Sequence, residues 1–329
     1  MNSVMTRINR PGNLVRALAG VAGAGLLLAG LTACGGESLA DTEKPAESTG
    51  EVEFMAVPDE EKAKAIIEGI EPSATAAAEL PANYATDGIK FVTSVGYPPM
   101  EEWGTNKKDI IGVDPAIAHA IARKLGVTMT LEDQEFNSMI PGLISNRYDV
   151  LMSSMTDNAE RRETTTFVDY VSAGNAFLVS TGNPENIAAP ADLCGKIVAV
   201  VDSGSSAILA DEFSEICTEA GSEPYEVLRF DGDAPANLAV QSGRAVATIT
   251  DFPVAKAREA DPANKMEAIA IDGGESLWGI GVDKADTELA TAVQTALQEL
   301  VDDGTYGELL AAWNVEGMAV ETVTINGGD

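Results

Sequence analysis

Strand-like and helix-like segments alternate along the chain from about residue 88, and this alternation restricts the possible folds more than any other feature. The apolar run IKFV predicts a short buried strand, which ends in the loop GYPP. The segment VDPAIAHAIARKLG predicts an amphipathic helix, with Asp114 as its N-cap and Gly126 at its end. The same order continues as far as the strand ATITD and the helix FPVAKAREA. Two successive series of this kind predict an α/β protein.

The charge of the chain limits its partners. Its 329 residues include 52 acidic and 21 basic side chains, which give a formal net charge of −31 at pH 7. Such a charge opposes binding to nucleic acid, because phosphates are neutralised by a basic surface. Since 45% of the residues are hydrophobic, the chain can bury a core large enough for two globular lobes. We therefore expect a folded acidic protein that does not bind nucleic acid.

The N-terminus has the features of an export signal. Arginines 7, 10 and 16 precede the apolar run ALAGVAGAGLLLAG, which is short and rich in Gly and Ala for a membrane span. The sequence LTAC follows and resembles a bacterial lipobox, in which the cysteine is lipidated and the signal is removed. We expect residues 1–33 to be a lipoprotein signal peptide and Cys34 to carry the lipid that holds the chain on a membrane face. A plain secretory signal with an incidental cysteine is the alternative.

The segments after Cys34 separate this anchor from the fold. Residues 34–58 are rich in Glu, Gly, Ser, Thr and Ala, and they predict a flexible tether. Residues 59–86 predict an N-terminal extension with some helical character. Export would place Cys194 and Cys217 in an oxidising compartment, where we expect them to form a disulfide. Two buried free thiols, or a redox pair, are the alternatives.

Polar and aromatic side chains recur just beyond the predicted strands, where α/β proteins place their ligand sites. They are Tyr97, Phe136, Ser153, Ser154, Thr156, Arg161, Ser205, Ser206 and Asp251. The guanidinium of Arg161 can hold a carboxylate, and the turn SGSS opens a helix whose N-terminus also favours an anion. Asp251 can accept hydrogen bonds from an ammonium group. Taken singly, each feature is usual for a solvated or capping residue, but together they predict a site for the two ends of a zwitterion.

Six segments occur in the order and at the intervals of one known family. They are SVGYPP, GVDPAIAHAIA, FNSMIPGLISNRYDVLMSSMTDNAERRETTTF, VAVVDSGSSA, QSGRAVATITD and DGTYGELLAAW. In this respect the chain resembles the extracellular solute-binding proteins of family 3, the polar amino-acid receptors of ABC importers. The resemblance covers about residues 87–318, and its most specific part is MSSMTDNAERRETTTF with the later ITD.

The resemblance implies a two-lobed, type II periplasmic-binding-protein-like fold, with two crossing hinge strands and the ligand in the cleft between the lobes. Residues 87–174 and 281–320 would form lobe 1, residues 177–274 lobe 2, and residues 321–329 a tail. It also implies that Arg161, helped by Ser154, Thr156 and Ser206, binds the α-carboxylate of the ligand. Asp251, with Ser153, would bind the α-ammonium, and Tyr97 and Phe136 would flank the side chain.

The ligand side chain is expected to be neutral and polar. Family members that bind cationic amino acids typically carry an aspartate where this chain has Ser94. Glu101 and Glu102 lie near the site and could replace it, but two adjacent acids in a loop are more often solvated. Arg162 is interpreted as a solvated neighbour of Arg161, and His119 as a residue on the exposed face of its helix.

These features favour a non-enzymatic receptor that delivers a polar amino acid to an ABC permease and its ATPase. We expect a monomer without cofactor or metal, anchored outside the cytoplasmic membrane, at the cell surface of a Gram-positive bacterium. The alternatives are an amino-acid-sensing module for a membrane signalling protein, a secreted dehydratase or lyase of the same fold, and an adhesion lipoprotein with a degenerate pocket.

Overall fold

The computed structural model describes residues 59–273 and 275–328. The predicted signal peptide, the tether and Cys34 lie outside the described residues. Within the described ranges, none of the helices combines the length and the apolar character that crossing a membrane requires.

Ten α-helices and twelve strands occur in the described part of the chain. The helices are α1 Glu60–Glu68, α2 Ala74–Glu79, α3 Ala82–Asp87, α4 Val113–Leu125, α5 Met139–Ile144, α6 Ser205–Glu219, α7 Asp233–Gln241, α8 Phe252–Ala260, α9 Thr287–Asp302 and α10 Thr305–Ala312. The strands are β1 Ile89–Thr93, β2 Glu102–Trp103, β3 Ile110–Ile111, β4 Met129–Asp133, β5 Val150–Leu151, β6 Thr165–Ala173, β7 Asn175–Ser180, β8 Ile197–Val201, β9 Glu226–Phe230, β10 Ala247–Asp251, β11 Met266–Ala270 and β12 Ser276–Asp283.

The first lobe is built on a five-stranded sheet in the order β4-β1-β5-β12-β6. Strands β4, β1 and β5 are parallel, whereas β12 runs antiparallel to both of its neighbours. One hydrophobic cluster joins this sheet to α4, α9 and α10 and includes Phe91, Ile121, Trp278 and Leu297. The apolar residues of α4 and α9 recur at three- and four-residue spacing, which is why each helix buries one face against the sheet.

The second lobe is built on another five-stranded sheet, in the order β11-β7-β10-β8-β9. Strands β10, β8 and β9 are parallel, and β7 pairs antiparallel with β10 and β11. The two faces carry separate hydrophobic clusters, one around Phe177 and Ile249 and the other around Leu178 and Val240. The two-lobed α/β architecture expected from the sequence is therefore confirmed.

Two connections join the lobes. Gly174 lies between β6 of the first sheet and β7 of the second, and the other connection leads from β11 to β12. Strand β12 enters the first sheet at Ser276, earlier than the residue 281 expected from the sequence. Because adjacent strands of different sheets are linked by short segments, a small change of backbone dihedrals there can rotate one lobe against the other.

The N-terminal extension forms three short helices that pack on the first lobe. Ala63 of α1, Ala76 of α2 and the following Leu80 are buried in the same hydrophobic cluster as the sheet. The Ser73 hydroxyl caps α2 and also donates to Glu299 on α9 at 2.9 Å. The extension is thus part of the first lobe and not a separate domain.

A disulfide joins Cys194 and Cys217 in the second lobe, as expected from the sequence. Cys194 follows the 3₁₀ helix Pro190–Leu193, and Cys217 lies in the last turn of α6 with its side chain buried. The bridge therefore fastens the end of α6 to the segment that precedes β8.

The C-terminal tail is attached to the edge of the first sheet at β6. Ile325 pairs with Val168, and the backbone of residue 326 donates to the Phe167 carbonyl at 2.9 Å. Arg162 donates to the carbonyls of Asn326 and Gly328, at 3.0 and 2.6 Å. The interpretation of Arg162 as a solvated neighbour is therefore wrong. No sequence pattern near this residue indicates that the distant tail returns to it.

Replacing Asn326 should weaken the attachment of the tail to β6. The Asn326 side chain accepts a hydrogen bond from the Phe167 N–H at 2.9 Å, and its φ is 55°, a left-handed conformation that asparagine tolerates better than alanine. Asn326→Ala should lower the free energy of unfolding by about 1–2 kcal/mol, as measured by urea denaturation. The control Glu321→Ala changes an exposed residue of the same tail and should have little effect. Equal stability of the two variants would contradict a fastening role for the tail.

Candidate functional site

A cavity of about 180 Å³ lies between the two sheets. Its wall includes every ligand-binding residue predicted from the sequence, namely Ser94, Tyr97, Phe136, Ser153, Ser154, Thr156, Arg161, Ser205, Ser206 and Asp251. The wall also includes residues that sequence reasoning did not assign to it, among them Glu101 and the turn 231–235. The first lobe contributes residues up to Arg161, and the second contributes the rest.

Arg161 is held in place by contacts with residues of both lobes. It lies at the start of the 3₁₀ helix Arg161–Glu163 and is 9% exposed. Its guanidinium donates to the carbonyls of Thr156 at 2.8 Å and Ser203 at 2.9 Å, and it stacks on the Phe136 ring with its carbon 5.7 Å from the ring centroid. Burial lowers the pKa of Arg161 to about 10, so the side chain remains a cation at neutral pH.

Asp251 faces this cation from the end of β10 in the second lobe. Its carboxylate accepts a hydrogen bond from the Tyr97 hydroxyl at 2.6 Å, and that hydroxyl also lies 3.0 Å from the Thr250 hydroxyl. Burial raises the pKa of Asp251 to about 7, although the Tyr97 hydrogen bond and the charge of Arg161 lower it. Tyr97 belongs to the first lobe, so this contact crosses the cleft.

A further contact across the cleft is made by Arg258, the partner of Asp233, and the sequence interpretation missed Asp233. Asp233 begins α7 directly after β9, and it forms an ion pair with Arg258 at 2.6 Å. Arg258 also donates to the Gly96 carbonyl of the first lobe at 2.7 Å. The segment FDGDAP has the same strand-then-turn pattern as the other site residues, and it could have indicated this part of the wall.

The side of the pocket that belongs to the first lobe contains a buried acid. Glu101 is 1% exposed and accepts a hydrogen bond from the Ser153 hydroxyl at 2.7 Å. The same hydroxyl accepts from the Ser94 N–H at 3.0 Å. The expectation that Glu101 is a solvated loop residue is therefore wrong, because the loop after Tyr97 folds back and pairs Glu101 with Tyr97. Its neighbour Glu102 is only half-buried.

Ser154 has a left-handed backbone conformation, with φ of 48°. Its N–H donates to the carboxylate of Asp114 at 2.7 Å, and Tyr170 donates to the same carboxylate at 2.7 Å. Asp114 is thus a buried support for Ser154 and not the N-cap of α4, which is Gly112. A non-glycine residue with positive φ needs such support, because the conformation is disfavoured for L-amino acids.

Acidic groups outnumber basic ones on the wall of the pocket. Glu101, Asp231, Asp233 and Asp251 line it, and Arg161 is the one basic residue among the described lining residues. Arg258 neutralises Asp233 from outside the wall. In the described part of the chain, no cluster of three or more acidic, histidine or cysteine side chains has a geometry that could hold a metal ion. The arrangement is suited to an organic cation that also carries a carboxylate.

Comparison with known proteins agrees with this geometry. Residues 89–316 match the family described as bacterial extracellular solute-binding proteins, family 3. The chain belongs to this family. It is therefore a solute-binding protein of this family.

Several individual proteins are similar to this family member. The arginine-binding protein ArgT of Corynebacterium glutamicum is 28% identical over 70% of this chain and 75% of its own length. The L-cystine-binding protein TcyA of Bacillus subtilis is 25% identical over 71% and 84%. An arginine-binding protein of T. maritima, solved as a mutant, has a TM-score of 0.63 and 30% identity, over 73% of this chain and 99% of its own. A reconstructed amino-acid-binding precursor of cyclohexadienyl dehydratase has a TM-score of 0.62 and 29% identity, over 70% and 97%.

Removing the hydroxyl of Tyr97 should favour the open cleft. Tyr97→Phe deletes the hydrogen bonds to Asp251 and Thr250, and we expect the ratio of open to closed protein without ligand to rise by about tenfold. Small-angle scattering of protein stripped of ligand would report this as a larger radius of gyration. Tyr148→Phe is the matched control, since the buried Tyr148 hydroxyl has no hydrogen-bond partner among the described residues. Identical scattering from both variants would contradict a role for Tyr97 in closure.

Proposed function

We propose that this receptor binds an α-amino acid with a cationic side chain and delivers it to an ABC importer. The observation that carries the proposal is the placement of Arg161 and Asp251 on opposite walls of one buried cavity. Arg161 would hold the α-carboxylate with the hydroxyls of Ser154, Thr156 and Ser206. Asp251 would accept from the α-ammonium. Opposite charges buried from water attract their partners more strongly than surface charges do.

The burial of Glu101 supports a cationic side chain. The sequence-based preference for a neutral ligand assumed that Glu101 was solvated, whereas its carboxylate is buried at the pocket wall. Once Arg161 and Asp251 have bound the two backbone groups of the ligand, Glu101 remains as a buried lining acid that forms no ion pair with another described residue. Similar proteins named as arginine-binding, from Corynebacterium glutamicum and from Escherichia coli at 29% identity, agree with this choice.

Ligand binding would stabilise the closed form. Arg161 belongs to the first lobe and Asp251 to the second, so one ligand bridges both lobes through its own charges. Tyr97 and Arg258 add hydrogen bonds across the same cleft. A ligand shifts the equilibrium toward closure only to the extent that it binds the closed form more tightly. The closed form is the one that a permease would recognise.

Calorimetry on the stripped mature domain tests the proposal. We expect arginine or lysine to bind with micromolar or lower dissociation constant and more tightly than citrulline or glutamine. Arg161→Ala should weaken binding by at least a hundredfold, because it removes the partner of the buried carboxylate. Arg147→Ala is the control, since Arg147 is exposed and stacks on Tyr148 outside the cavity. If Arg161→Ala binds as tightly as the wild type, or if no amino acid binds, the proposal is wrong.

An enzymatic role is the second candidate, favoured by the similar precursor of cyclohexadienyl dehydratase. A buried acid such as Glu101 could protonate a leaving group in the cleft. Turnover of prephenate or a related cyclohexadienyl acid would support this role, and tight binding of an amino acid without turnover would favour the receptor. A sensory role would replace the permease by a membrane signalling protein and would leave the binding site unchanged.

The receptor is proposed to be a monomer held outside the membrane by a lipid on Cys34. The sequence LTAC and the preceding basic and apolar segments support this anchor. Cells that express the full chain with an alkyne-tagged palmitate should yield labelled protein in the membrane fraction. Cys34→Ser should abolish the label while the folded domain remains intact. Unlabelled wild-type protein in the medium would indicate a plain secretory signal.

A further inference from the structure

The hydroxyl of Ser154 lies between two buried acids beneath the pocket. The Ser154 hydroxyl lies 3.5 Å from a carboxylate oxygen of Glu101 and 3.4 Å from one of Asp114. Ser153 donates to the other Glu101 oxygen, and Tyr170 donates to the other Asp114 oxygen. Glu101 is 1% exposed and Asp114 is fully buried. Two ionised carboxylates this close, in a site shielded from water, would repel each other strongly.

The groups around the pair do not neutralise it. Tyr170 on β6 donates to Asp114, and the other titratable groups that line the pocket with Glu101 are Tyr97, Arg161, Asp231, Asp233 and Asp251. Arg161 interacts with Asp251, and Arg258 pairs with Asp233. None of the ion pairs between described residues includes Glu101 or Asp114. Neither carboxylate of the pair therefore has a cationic partner among the described residues.

We propose that Glu101 and Asp114 hold one proton between them, and that a cationic ligand side chain expels this proton when it binds. The inference rests on the proposed function, since it assumes that the side chain of the ligand reaches Glu101. The proton leaves the Glu101 carboxyl group for the solvent, and the charge of the ligand takes its place beside the carboxylate. The total charge of the buried site then changes little, although the ligand brings a full positive charge.

The distribution of hydrogen bonds assigns the proton to Glu101. Asp114 accepts from the Ser154 N–H and from Tyr170, and both donors favour its ionised form. Burial raises the pKa of Asp114 to about 6, and burial together with the charge of Asp114 raises the pKa of Glu101 well above its usual range. Glu101 is also the member of the pair that lines the cavity. The group that a ligand can reach is thus the group that carries the proton.

The proposal predicts how the preference for a cationic over a neutral ligand changes with pH. A cation binds the ionised form of Glu101, and its affinity must fall as the pH falls and the free site retains its proton. A neutral ligand of the same shape gains nothing from ionisation of Glu101. Below the pKa of Glu101 in the free protein, the preference for arginine over citrulline should therefore decline by up to about tenfold per pH unit.

Calorimetry with arginine and citrulline in two buffers tests the proposal. The pKa of Asp251 is about 7, so this side chain is partly protonated in the free protein. Both probes carry an α-ammonium, so binding of either probe should release the same amount of proton from Asp251 to the solvent. The observed enthalpy in phosphate and in Tris at pH 7 gives the number of protons released with each probe. We expect arginine to release close to one proton more than citrulline. Release of equal numbers would overturn the proposal and leave the amino-acid receptor intact.

A variant of Glu101 completes the test. Glu101→Gln keeps the size of the side chain and can accept from Ser153, so the fold should persist, and circular dichroism checks this. It should abolish the extra proton release and lower the preference for arginine by about tenfold or more. Glu102→Gln is the matched control on the adjacent, half-buried residue and should behave as the wild type. Unchanged proton release in Glu101→Gln would overturn the proposal, whereas failure of every amino acid to bind would overturn the proposed function as well.

Discussion

The buried carboxylate of Asp114 holds together the part of the first lobe on which the site depends. It accepts hydrogen bonds from the Ser154 N–H and from Tyr170, so it ties the first turn of α4 to the loop after β5 and to β6. Ser154 keeps its left-handed conformation because this acceptor stabilises it. Ser153 and Ser154 then present their hydroxyls to Glu101 and to the pocket. The Asp114 carboxylate in the first turn of α4 thus supports residues that line the pocket.

The strand ends, and with them most of the pocket wall, could be predicted from the sequence. Parallel strands bring their carboxyl ends to one edge, so local patterns such as YDVLMSS and ATITD place Ser153, Ser154 and Asp251 without knowledge of the tertiary contacts. Glu101 could not be predicted in this way. Its burial depends on a loop that returns to Tyr97 and on Gly112, where an added side-chain carbon would lie 2.1 Å from the Met100 carbonyl oxygen. Such contacts join residues whose local sequences look like an ordinary exposed loop.

Arg162 shows the same limit at longer range. Its partners, Asn326 and Gly328, are far away in the sequence, and the tail carries no strong strand pattern of its own. The adjacent arginines therefore have separate contacts, since Arg161 lines the cavity between the lobes and Arg162 donates to the tail. The local sequence ERRE contains nothing that distinguishes them, and only the direction of each side chain in the 3₁₀ helix does.

Different features hold each of the two lobes together. The first lobe carries the N-terminal helices, the C-terminal tail and the larger hydrophobic cluster, whereas the second lobe has the disulfide. The extension bonds to α4 and α9, and the tail bonds to Asp157 and β6, so both are attached to the first lobe. The first lobe carries Glu101, the serines and Arg161, whose guanidinium also donates to the Ser203 carbonyl of the second lobe. The second lobe contributes Asp251 and the Ser203 carbonyl, so closing the cleft would bring both of these acceptors to Arg161.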